Sequence, residues 1–269
     1  MPEIPEIASR AREMNQALPG KQISGIQVEQ PKSLNVPLEE FTQGLLHATI
    51  KEVSNRGKWL LVETSQGWLL LNMGMGGEIL LVDRDHLPAK HRLIFDFSDG
   101  TCLSINFWWF GYVHFASLEN LSAHEPTAKL GPNVLDLSEE QFTARIAGQK
   151  GKVKAFLLDQ TQVAGIGNAY IHDILFFAGL HPLRTIRSLT PTEIHSLYDG
   201  IQKGLVPALL KGGAFYEMNL FGQKGQFTMD DIVIGYREGQ PCPVCQTPII
   251  KIKTGGTSSF ICPHCQPES

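Results

Sequence analysis

The stretch QTQVAGIGNAYIHDILF, residues 160–176, decides how the second half of the chain folds. Gly165, Gly167 and Asn168 interrupt two apolar runs, VKAFLLDQ before and NAYIHDILFFAGL after, that both have helical spacing. The segment therefore reads as a tight helix–turn–helix connection. Backbone N–H groups at such a turn can hold a phosphate, with Asn168 adding a side-chain donor. The same residues serve equally well as caps, a glycine closing one helix and the asparagine opening the next. Taken alone, the stretch leaves both readings open.

Working outward, the chain from about residue 131 onward is helical. SEEQFTARIAG carries a serine followed by acids, a helix-start signature, and LTPTEIHSLYDGIQKGLVPALL reads as one long helix. A Gly-rich polar stretch, KGGAFYEMNLFGQKGQF, follows. Upstream the pattern differs. PEIASRAREMNQAL and the isoleucine just before it place Ile4, Ile7, Ala8, Ala11, Met14 and Leu18 at helical spacing, and the run stops at Pro19-Gly20. From Lys21 to about Leu118, eight short β-rich runs alternate with turn signals, the pattern of an antiparallel sandwich or barrel. The predicted class is α+β and multidomain: an N-terminal helix with a β-sandwich (1–130), a helical domain (131–235) and a small C-terminal hairpin (236–269).

Four of the five cysteines stand as Cys242-Pro-Val-Cys245 and Cys262-Pro-His-Cys265. This is tetrathiolate zinc spacing, with a hairpin turning at Gly255-Gly256 between the two pairs. Two disulfides are the alternative, disfavoured in a cytosolic chain. Four thiolates leave no open coordination position, so one structural zinc is expected and no organic cofactor. Cys102, in a strand-like run, reads as a buried core thiol.

The 269 residues are 42% hydrophobic and 19% charged, which excludes a disordered chain. No signal pattern or membrane-length apolar run is present, so a cytosolic or nucleoid setting is expected. The net charge of −4 argues weakly against nucleic acid, but its distribution is uneven. Residues 1–140 carry 11 Lys and Arg against 18 Asp and Glu; residues 141–269 carry 12 against 9. The second half can offer a phosphate-facing surface.

MPEIPEIASR opens the chain. Pro2 reads as a helix-start residue with Glu3 and Glu6 as first-turn acids, or as a reactive amine, freed by removal of Met1, beside a proton donor. Lys58 and Arg56 in SNRGKWLLVE are either solvated strand-end cations or phosphate contacts, and Lys154 in QKGKVKAFLL is open to the same reading. Met75 in NMGMGGEILL, and Trp108, Trp109 and Phe110 in NFWWFGYVHF, are apolar residues in glycine-rich turns, positions from which side chains can wedge into a base stack.

Together PEIPE, NRGKW, NMGMGG, LLDQTQVAGIGNAYIHDILF and YREGQPCPVCQTPI…CPHCQ, in this order, resemble the formamidopyrimidine-DNA glycosylase / endonuclease VIII family over essentially the whole chain. The resemblance implies a β-sandwich, a helix-two-turn-helix domain and a C-terminal zinc finger, acting as a monomer on double-stranded DNA that contains a damaged base or abasic site. It implies Pro2 as nucleophile, Glu3 as the acid that opens the sugar, Glu6 as a second acid and Lys58 as a catalytic lysine near the lesion. Asn168, Lys154 and Arg56 become DNA contacts, and Met75 and Phe110 two residues that fill the space of an extruded nucleotide.

Several positions depart from the family pattern. Trp108 stands at the arginine of the void-filling trio, Asn72 at a histidine, Asp173 at a glutamate and Thr257 at the arginine of the zinc hairpin, with Lys251 and Lys253 nearby. The predicted function is a base-excision glycosylase with AP lyase activity, whose lesion preference differs from that of the 8-oxoguanine enzymes. The alternatives are a catalytically silent DNA-binding protein on the same scaffold and a zinc-ribbon interaction factor, which leaves the Pro-Glu pair unexplained.

Overall fold

A computed structural model describes residues 2–108 and 110–268; Met1, Trp109 and Ser269 lie outside the described residues. The chain forms two compact units, Met1–Lys129 with Lys211–Gln226, and Leu130–Leu210 with Phe227–Ser269. The Gly-rich stretch returns to the first unit because Leu220, fully buried, joins its core. The hairpin belongs to the second unit because it packs on a helix there.

In the first unit, α1 (Ile4–Ala17) starts with a capping box between Glu3 and Glu6 and carries Pro5 in its first turn. Its apolar stripe, Ile7, Ala11, Met14 and Leu18, is buried as the spacing predicts. The eight expected strands are all present: β1 (Ile23–Val28), β2 (Ile50–Arg56), β3 (Trp59–Thr64), β4 (Gly67–Asn72), β5 (Glu78–Asp83), β6 (Leu93–Phe97), β7 (Thr101–Asn106) and β8 (Tyr112–Ser117). They make two antiparallel four-stranded sheets, ordered β1-β6-β7-β5 and β2-β3-β4-β8. Leu60, Leu69, Phe95 and Leu103 from both sheets share one core with α1. The short α2 (Leu38–Leu45), absent from the sequence reading, adds Phe41 and Leu45 to that core. Cys102 is a buried free thiol as expected.

After the one-turn α3 (Glu125–Ala128), the second unit contains α4 (Glu139–Ile146), α5 (Val153–Leu158), α6 (Ile171–Phe177) and α7 (Pro191–Leu210). The expected start of α4 is seen: the Ser138 hydroxyl accepts from Gln141 N (3.2 Å), and the Gln141 side chain returns a bond to Ser138 N (2.9 Å). The α5–α6 turn is held from inside by Gln160, whose Oε1 accepts from Gly165 N (2.9 Å) while Nε2 donates to Ile166 O (2.8 Å). The cap of α6 is Tyr170, so Asn168 sits in the turn before the helix and does not cap it. The antiparallel hairpin of β9 (Ile250–Thr254) and β10 (Thr257–Ile261) turns at Gly255-Gly256 as predicted.

Candidate functional site

The first group of candidates gathers at the start of α1. Pro2, Glu3 and Glu6 are all buried. Glu6 Oε2 accepts from the Glu3 amide at 2.8 Å, which fixes the backbone next to Pro2. Glu6 Oε1 accepts from Ala214 N at 3.0 Å, tying that corner to the segment Lys211–Gln226. A secondary amine at position 2 would therefore lie beside a carboxyl held by the helix cap, the pairing that nucleophilic attack on a sugar carbon with proton transfer requires. Glu6 emerges as the group that holds the corner together.

Lys58 occupies the tight turn between β2 and β3, half-buried, with Arg56 exposed just before it. Asn72, one of the departures from the family pattern, has a clear structural role. Its Nδ2 donates to Lys58 O (3.2 Å) and its Oδ1 accepts from Gly74 N (3.1 Å), joining the lysine turn to the loop that carries Met75. Trp108, Phe110 and Met75 are 71%, 69% and 43% exposed. Trp108 N donates to Met75 O at 3.2 Å, and the indole lies over Gly76, where an added Cβ would meet the ring at 3.0 Å. Phe110 adopts φ +56°, which turns the chain sharply. The three form an exposed apolar group on one loop pair, as base-stack insertion needs.

In the second unit, Cys242, Cys245, Cys262 and Cys265 bring their sulfurs within 4.8 Å of one another, with no disulfide. The Sγ–Sγ separations of 3.4, 3.5 and 3.9 Å agree with the edge of about 3.8 Å that a tetrahedron with 2.3 Å Zn–S bonds has. The donor set fits one structural zinc.

Lys154 departs from its expected place at a DNA-facing surface. It is 3% exposed, and its Nζ lies 2.8–3.0 Å from Thr254 Oγ1, Thr257 Oγ1, Ser258 O and Ser259 Oγ. Burial lowers its pKa to about 8. Thr257, where the family pattern has arginine, is one of the groups that receive this lysine. Asp173 is another buried anchor: its carboxylate accepts from the amides of Val233, Ile234 and Gly235 at 2.7–2.9 Å, shaping the approach to the finger. Sequence reasoning marked Asp173 only as a departure.

Beside the hairpin is a concavity of about 570 Å³ lined by Asn168, Tyr236, Lys251, Lys253, Thr257 and Phe260. Tyr236 OH donates to Asn168 O at 3.2 Å, and the Lys251 ammonium sits 5.8 Å from the Phe260 ring centroid. Asn168 Oδ1 is buried with no hydrogen-bond partner among the described residues. Two lysines and an asparagine facing one hollow are suited to a phosphate group.

Three family models match in sequence order: the formamidopyrimidine-DNA glycosylase N-terminal domain over residues 1–106, the formamidopyrimidine-DNA glycosylase H2TH domain over 130–218, and the zinc finger found in FPG and IleRS over 239–267. The chain is 33% identical to the formamidopyrimidine-DNA glycosylase of Listeria innocua, covering 99% of this chain and 100% of that protein. It is 34% identical to that of Streptococcus pneumoniae, covering 99% of both. The chain belongs to the formamidopyrimidine-DNA glycosylase family. The Fpg of Lactococcus lactis bound to abasic-site DNA superposes with a TM-score of 0.88 at 29% identity, covering 98% of this chain and 99% of that one. The same enzyme with an N7-benzyl-Fapy-dG duplex gives 0.89 at 30%, covering 99% and 100%. The family's β-sandwich, H2TH domain and zinc finger are thus those of this chain, and its four cysteines are the finger's zinc ligands.

Proposed function

We propose that the protein is a bifunctional DNA glycosylase and AP lyase that removes an oxidised or ring-opened base from double-stranded DNA through the amine of Pro2. The observation that carries the reading is the buried Pro2-Glu3-Glu6 corner, where the Glu6 carboxylate fixes the backbone beside the terminal residue. Once Met1 is removed, Pro2 bears a terminal amine. Such amines titrate near pH 8, against about 10 for lysine, so a useful fraction is neutral in the cell.

The Pro2 nitrogen pair forms a bond to sugar C1′ as the C1′–base bond breaks, and the amine proton is released. Glu3 protonates the ring oxygen as the ring opens, leaving an iminium between Pro2 and C1′. That cation draws electrons from the C2′–H bond, so the 3′ phosphate leaves by β-elimination, and the 5′ phosphate follows by δ-elimination. Lys58 offers a positive charge to the strand at the lesion; Lys251 and Lys253 offer charge, and Asn168 a neutral amide donor, to phosphates of the duplex. Zinc supplies no chemistry; its four ligands hold the hairpin that carries the two lysines.

The lesion preference differs from that of enzymes with arginine at position 108. Trp108 offers one N–H and a wide stacking face where arginine offers five donors. The base left opposite the lesion is stacked upon and not read by hydrogen bonding. Single-turnover excision of a ring-opened guanine opposite each of the four bases tests this, with the strand ends resolved on a gel. Rates within about tenfold across the four, with 3′-phosphate ends, are expected. A preference for cytosine well beyond that would contradict the role of Trp108.

A further inference from the structure

α1 carries a polar stripe that its packing against the sandwich does not require. Glu6, Arg10 and Glu13 recur at i, i+4 and i+7 and so share one helix face. Glu6 is 8% and Arg10 5% exposed. The segment Lys211–Gln226 runs along this stripe. Ala214 N donates to Glu6 Oε1 at one end (3.0 Å), and Leu220 N donates to Glu13 Oε2 at the other (2.9 Å). Gly213 approaches so closely that an added Cβ would stand 2.7 Å from Glu6 Cγ. On the same stripe Arg10 donates from Nε to Glu13 (3.1 Å) and from Nη1 to Ile79 O (3.0 Å).

Glu217 lies midway in sequence between the two anchors and is half-buried. The groups acting on it are Glu6 and Arg10 of α1, Glu78 at the start of β5, and the amino terminus. Glu6 and Glu13 each accept backbone N–H bonds, and Glu13 also takes the arginine. No donor to the Glu217 carboxyl is seen among the described residues. Of these crowded acids it is the one best placed to keep a proton. Burial pushes it up to about 7; repulsion from Glu6 and Glu78 adds to this, while the amino terminus and Arg10 oppose it.

We propose that Glu217 is the acid that protonates the departing base, held at the Pro2 corner by the Glu6–Arg10–Glu13 stripe. The inference rests on the glycosylase reading above. As the Pro2 nitrogen bonds to C1′, the glycosidic bond breaks and its electron pair stays on the base. The Glu217 O–H proton passes to that base, which leaves neutral. The carboxylate formed faces Arg10 and regains its proton from solvent. Glu3 acts later, on the sugar oxygen, so the two acids serve different bonds.

The test uses the full, Met1-processed chain, a duplex with a formamidopyrimidine lesion and one with a preformed abasic site, followed between about pH 5 and pH 9. Because the acid must be protonated, and because the titration of the Pro2 amine affects excision and nicking alike, the wild-type ratio of excision to nicking falls as pH rises through about 7. Glu217→Gln lowers excision by about 100-fold below that pH and abolishes the dependence. It lowers the ratio of excision to abasic-site nicking by a similar factor, since nicking involves no departing base. Glu217→Asp restores part of the rate and the pH dependence. A Glu217→Gln variant that keeps the pH limb, or slows excision and nicking equally, overturns the inference while leaving the glycosylase reading intact. A wild-type chain that neither excises nor nicks overturns both.

Discussion

Lys154 shows how one side chain changes its meaning once its surroundings are known. Its ammonium is enclosed by four oxygens of the hairpin, so its work is to seat the zinc finger on α5. Removing it takes the charged donor from the buried hydroxyls of Thr254 and Ser259, which keep each other and Thr257 O as partners. Lys154→Met is expected to cost about 2 kcal/mol of stability. Its effect on the salt dependence of DNA binding should be small, because a lysine already satisfied by protein displaces no counterion. Lys251→Ala and Lys253→Ala, which line the hollow beside the hairpin, should each reduce the slope of log K against log salt by about 1 with little loss of stability. Titrations at several salt concentrations, with thermal melts of each variant, check this; a full unit lost from the slope in Lys154→Met would place that lysine on DNA. The difference was not legible in sequence. KGKVK looks like any basic patch, and its acceptors lie 100 residues or more downstream.

At the scale of elements, the segment Lys211–Gln226 has no helix or strand and is nonetheless fixed. Leu220 is fully buried in the sandwich core, its carbonyl accepts from Leu81 N at 2.9 Å, and its amide donates to Glu13. Leu220→Ala is expected to destabilise by about 3 kcal/mol, while Phe221→Ala, whose ring is exposed, should change stability by less than about 0.5 kcal/mol. Denaturant midpoints of the two variants measure the contrast; equal midpoints would mean the segment is not anchored through Leu220. Elements with a clear period were readable: α1 from its Ile4–Leu18 spacing, the eight strands from alternation and punctuation, and the hairpin from its cysteine pairs. α2 was not, because two turns with two buried residues, following Pro37, carry too little periodicity. Glu217 was not either. A single acid in a glycine-rich stretch has no motif, and its position follows from contacts with a helix some 200 residues earlier.

For the whole molecule, the order of chemical parts along the chain differs from their order in space. The nucleophile candidate is at one end, the zinc finger at the other, and the first compact unit takes up a segment from between the helices and the finger. The family could be read from joint motifs because each of these parts keeps its local signature. What the departures do could not be read, since Asn72 and Asp173 act through backbone partners and Thr257 through the Lys154 side chain, none of which sequence names. The central claim is that the Pro2 amine is the attacking group. Borohydride added to the Met1-processed protein with an abasic-site duplex, followed by proteolysis and mass spectrometry, tests it most directly. The predicted result is a covalent sugar adduct on the N-terminal peptide, at Pro2, that is lost in Pro2→Gly. An adduct on a lysine instead, or none at all from protein whose Met1 has been removed, would contradict it.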